Sequence, residues 1–126
     1  MSKDVSEALI GSAAGHATAL RTLASIAPGG FAEGEGLVDG EMDSIILHRD
    51  DADGVRAWLN ICPHAGRRLD WAPGQFLKAK DGQLVCAVHG ATFETVRGAC
   101  TAGPCRGESL RAVAVVVRDG MVHLAD

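Results

Sequence analysis

Four Asp-Gly pairs, Asp39-Gly40, Asp53-Gly54, Asp81-Gly82 and Asp119-Gly120, punctuate the chain from residue 31 onward. Each stands beside residues suited to strands, and Asp-Gly in that setting is the chemistry of a tight hairpin turn that needs positive φ. Residues 44–49 and 55–61 flank the second pair, 77–80 and 83–87 the third, and 110–118 and 121–124 the fourth. The run Val113-Ala114-Val115-Val116-Val117 is apolar on both faces, which predicts a strand in the middle of packed sheets. The expected fold class is therefore all-β, with antiparallel sheets.

Residues 5–27 read differently. Val5, Leu9, Ala13, Ala17, Leu20, Ala24 and Ala27 recur at helical spacing, widened by Leu23 and Ile26. Ser2 or Asp4 supplies a cap, and Pro28-Gly29-Gly30 a stop. This predicts an N-terminal α-helix, either laid on the domain or serving as a homodimer contact. The division is a helical segment over 1–30 and a β domain over 31–126.

At 126 residues the chain has the length of one domain, too short for a two-domain oxidoreductase with its own nucleotide-binding half. Twelve basic against sixteen acidic residues give a net charge of -4, the opposite of a nucleic-acid binder's footprint. Such a chain is expected to act with a protein partner. Sixteen glycines against five aromatic residues, none of them tyrosine, imply many turns and a modest core that needs a staple such as a metal. No 18-residue apolar run and no secretory leader are visible, so no membrane contact is expected and the cytoplasm is the expected compartment. There the four cysteines are reduced or metal-bound. From Glu33 to Asp53 there are eight acids and one Arg or Lys, Arg49, which forms either a solvated edge or a docking face for a basic partner.

Cys62-Pro63-His64 and Cys86-Ala87-Val88-His89 carry the chemistry. Each offers one thiolate and one imidazole where a predicted strand runs out, with 21 residues between His64 and Cys86. Each is followed by a glycine, Gly66 or Gly90, that lets backbone N–H groups turn toward negative sulfur. Zinc accepts two thiolates and two imidazoles, but its usual spacing pairs cysteine with cysteine and histidine with histidine. The alternation Cys, His, Cys, His suits a [2Fe–2S] cluster with two cysteines on one iron and two histidines on the other, because each segment then supplies one ligand per iron.

This pattern, with Leu69-Asp70-Trp71, Gly90-Ala91-Thr92-Phe93, Gly98-Ala99-Cys100 and Gly103-Pro104, resembles the Rieske iron–sulfur family over residues 31–126. The spacer of 21 residues is somewhat longer than the family's usual one. The resemblance implies a Rieske-type fold with a cluster-binding subdomain and one [2Fe–2S] cluster. It places Cys62 and Cys86 on the buried iron, and His64 and His89 on the outer one. It also implies a soluble ferredoxin that carries one electron between a reductase and an oxygenase or other terminal enzyme, an electron-transfer component with no catalytic residue of its own. Other readings are a small Rieske-like subunit of a larger oxidoreductase such as nitrite reductase, or a cluster-based redox sensor.

High-potential members of the family join their ligand loops by a disulfide and donate hydroxyl hydrogen bonds to cluster sulfur. The matching positions here are Arg67 and Val88, and Ala91 and Phe93, none of which can do either. Without those donors the reduced cluster is less stabilised, and the potential is expected at about −150 mV, the low end for such centres. Cys100 and Cys105 stand outside the ligand set, as buried thiols or as a disulfide. Arg67 and Arg68 are docking contacts or solvated, Trp71 is expected to pack under the first loop, and His16, His48 and His123 are read as ordinary residues.

Overall fold

A computed structural model describes residues 18–63 and 66–125. Its strands are β1 (Ala19–Thr22), β2 (Phe31–Val38), β3 (Glu41–Arg49), β4 (Val55–Leu59), β5 (Leu77–Lys78), β6 (Leu84–Val85), β7 (Thr92–Phe93), β8 (Cys100–Ala102), β9 (Val115–Arg118) and β10 (Met121–Leu124). They form three antiparallel sheets, ordered β1-β10-β9, β2-β3-β4 and β5-β6-β7-β8. All four Asp-Gly pairs turn the chain. At Asp39-Gly40 and Asp119-Gly120 both residues take positive φ, at 52° and 84° and at 52° and 75°, closing two-residue hairpins. Asp53-Gly54 closes a longer loop, in which the Asp50 carboxylate accepts the N–H groups of Ala52 and Gly54.

Strand β3 is the wall between two cores. Ile45, Ile46 and Leu47 are all fully buried, and because successive side chains point to opposite faces they enter different clusters. Ile45 and Leu47 join Ile26, Ala57 and Val122 on the face covered by the first sheet. Ile46 and Trp58 join Leu69, Leu84, Phe93 and the four cysteines on the other face. Backbone bonds from Leu59 to Arg111 and from Val113 to Ala57 tie the free edge of β4 to the segment entering β9.

Two expectations are corrected. The predicted N-terminal helix falls on residues 5–27, of which 5–17 lie outside the described residues. Beyond them Ala19–Thr22 is strand β1, paired with residues 121–123, and Leu23–Ser25 is a single 3₁₀ turn. The edge of β10 offers these residues backbone partners, and Leu20 seats itself over Gly34 and Gly36. A Cβ on either glycine would come within 3.1 Å of Leu20. Tertiary contact thus overrides an alanine-rich helical stripe. The second correction concerns residues 113–117. Strand β9 is an outer strand with alternating burial, so Val115 and Val117 face the core while Val116 is exposed. Among the described residues, no helix is long and apolar enough to cross a membrane.

His48, read as ordinary, is buried in β3. Its Nδ1 lies 3.1 Å from the Gly30 carbonyl, and its ring lies 4.6 Å from that of Phe31, tilted by 33°. Burial holds it below the usual imidazole value of 6.5; Arg56 and Lys78 add to the lowering, while the Gly30 bond and Asp50 oppose it. A depressed folded value means the unfolded chain binds the proton more readily. Stability is therefore expected to fall as pH drops through 6.5 toward the folded value. Urea unfolding at pH 7.5 and at pH 5.5, on the wild type and His48→Gln, checks this: the pH-dependent loss should be smaller in the variant.

Candidate metal centre

Two loops of the same construction lie at one end of the second core. In the first, after β4, the Cys62 N–H donates to the Arg67 carbonyl (2.7 Å) and the Cys62 carbonyl accepts the Gly66 N–H (2.8 Å). In the second, after β6, the Cys86 N–H donates to the Ala91 carbonyl (2.7 Å) and the Cys86 carbonyl accepts the Gly90 N–H (2.9 Å). Each cysteine thus bonds to the carbonyl five residues on and the amide four residues on. Gly66 and Gly90 sit at φ 67° and 74°, and no atom lies within 4 Å of a Cβ built on either. Glycine is used there for backbone handedness, not for space.

The thiols of Cys62 and Cys86 are both 1% exposed, within the apolar cluster that includes Leu69, Ala91 and Phe93. His89 is exposed, beside exposed Val88, and His64 lies outside the described residues. Among the described residues, no three of His, Cys, Asp and Glu converge as a single-ion site. Two buried thiols heading twin loops, one of them carrying a surface imidazole three residues on, fit a group that wants sulfur on its inner side and nitrogen on its outer side.

Hydrogen bonds join the loops to each other and to the sheet. The Ala87 N–H donates to the Leu69 carbonyl (2.9 Å), and the Leu69 N–H donates to Asn60 Oδ1 (2.9 Å). Asn60, 1% exposed, donates in turn to Ser44 Oγ, which donates to Glu33. Arg68 forks onto Asp70 at 3.0 and 2.7 Å and reaches Glu33 at 2.8 Å. Burial works to raise the Asp70 carboxyl, but Arg68, the Gly74 N–H and Asn60 outweigh it and hold it below the usual range. Arg68 thus braces the frame of the first loop while remaining partly exposed to solvent. Trp71, expected under that loop, is 61% exposed. Asn60, two residues before Cys62 in an apolar run, carries no sequence signal that marks this role.

A third loop covers the second from behind. Gly103, at φ 104°, presses on Ala91, where an added Cβ would stand 2.8 Å from the Ala91 Cα. Gly103→Ala should destabilise the protein by about 2–4 kcal/mol through overpacking and backbone strain, read as a lower urea midpoint. Cys100 and Cys105 are buried beneath this loop as free thiols, their sulfurs 3.0 Å apart.

A model of the Rieske [2Fe-2S] domain family matches residues 30–119, and the chain belongs to that family. Membership implies one [2Fe–2S] cluster per chain. The fold is that of the ferredoxin of carbazole 1,9a-dioxygenase from Nocardioides aromaticivorans IC177, with a TM-score of 0.65, 31% identity and coverage of 85% of this chain and 94% of that one. A ferredoxin from Sphingomonas yanoikuyae B1 shares the fold at TM-score 0.59 and 22% identity, over 86% and 96% of the two chains. Oxidoreductase NdmD from Pseudomonas putida is 44% identical over 59 residues, 46% of this chain but only 9% of that protein. The chain is Rieske ferredoxin-like, and electron transfer is consistent with its fold and site.

Proposed function

We propose that the chain carries one electron at a time on a cluster held by Cys62 and Cys86 at one iron and by His64 and His89 at the other. The observation that carries this reading is the pair of twin loops, with sulfur buried at their base and His89 at the surface. A bound cluster supplies one-electron storage. The chain's own residues hold it, keep water from its sulfur side and leave an imidazole edge where a partner can approach. The partners are a flavin- or nicotinamide-linked reductase and an oxygenase or other terminal enzyme, in complexes that are small and transient. The absence of hydroxyl groups at Ala91 and Phe93 supports a low potential, about −150 mV. Working in the cytoplasm is part of the same proposal.

The match to a short stretch of a much longer oxidoreductase supports a second reading, a fixed component of a larger enzyme. Iron and acid-labile sulfide analysis, EPR before and after dithionite, and reoxidation by an added oxygenase test the first reading. Two irons, two sulfides and a signal that appears on reduction are expected. One zinc and no sulfide after anaerobic preparation would sink it. His89→Cys, which replaces a neutral ligand by an anionic thiolate, should lower the potential in whatever fraction assembles. An unchanged potential in a loaded variant would remove His89 from the ligand set.

A further inference from the structure

We propose that Cys100 and Cys105 form a reversible disulfide in the buried cluster that also holds Cys62, a second redox group in this chain that exchanges with low-molecular-weight disulfides. The two sulfurs are 3.0 Å apart, inside ordinary sulfur–sulfur contact, and closing to a bond of about 2.05 Å needs a movement of about 1 Å. The path between them, Thr101 to Pro104, is entirely exposed and turns at Gly103, whose φ of 104° leaves it outside regular structure. The thiols themselves are 7% and 1% exposed, but the loop that joins them is exposed, and local opening of such a loop costs far less than global unfolding. Neither cysteine belongs to the twin loops.

The exchange balances with a co-reactant such as glutathione disulfide. One cysteine sulfur, as its thiolate, attacks the disulfide and expels one glutathione; the other then attacks the mixed disulfide and expels the second. Two cysteine thiols are oxidised, one disulfide is reduced to two thiols, and the two protons leave with them.

Trypsin cleaves after Arg97 and Arg106, so one peptide, residues 98–106, holds both cysteines and neither Cys62 nor Cys86. The loaded protein is equilibrated without oxygen in glutathione buffers of rising oxidised fraction, quenched in acid, alkylated and digested. The expected product at the oxidised end is this peptide two hydrogens lighter and free of alkyl groups, reverting with dithiothreitol and absent in Cys105→Ser. A peptide alkylated at both cysteines across the whole range, or carrying glutathione without the internal bond, would overturn the proposal.

Discussion

Cys86→Ser is expected to leave the protein with almost no iron and no acid-labile sulfide. Hydroxyl is a far poorer ligand than thiolate at neutral pH, and Cys86 is buried where water cannot replace it. Its neighbours supply the control. Ala91 accepts the Cys86 N–H through its carbonyl, a backbone bond that any side chain preserves. Ala91→Ser should therefore retain the cluster while placing a hydroxyl beside it, and its potential should rise. Metal analysis and visible absorption of both variants, prepared side by side, decide the matter. A fully loaded Cys86→Ser protein would remove this residue from the site.

Arg68→Ala is expected to cost about 2–3 kcal/mol at pH 7, a value reduced from that of a fully buried pair because Arg68 is 46% exposed. The Asp70 side chain is 1% exposed, and without Arg68 its carboxylate would face Glu33 with no cation between them. The sign of the pH dependence should also change. In the wild type the Asp70 carboxyl lies below its usual 3.8, so its contribution is present above that value and lost as pH falls through the folded value. In Arg68→Ala the folded value should move up, so mild acid should narrow the gap to wild type. Asp70→Asn in the same background should recover much of the loss by removing the charge. Urea unfolding at pH 7 and pH 4.5 measures all three.

What the sequence revealed follows from the range of the forces involved. The Asp-Gly hairpins were legible because their turn chemistry is local, and β3, β4 and β10 lie where those turns predict. The twin loops were legible because a thiolate, an imidazole and a glycine recur in each at close spacing. Strand β1 was hidden because its partner residues lie about a hundred positions away, and an alanine-rich segment fits helix or strand equally well until such a partner appears. Asn60 was hidden inside an apolar run, where nothing in sequence distinguishes an amide that bonds to Leu69 from one that ends a strand. Arg68 beside Arg67 looked like surface charge because Glu33, its second acid, lies 35 residues upstream.

Because β3 gives alternate side chains to opposite cores, the two halves of this molecule cannot melt separately. The amides of Ile45, Ile46 and Leu47 should be among the slowest to exchange with deuterium, opening only when everything opens. Their exchange rate is then a remote gauge of what happens at the far loops: stripping the metal should quicken it on both faces of the strand together.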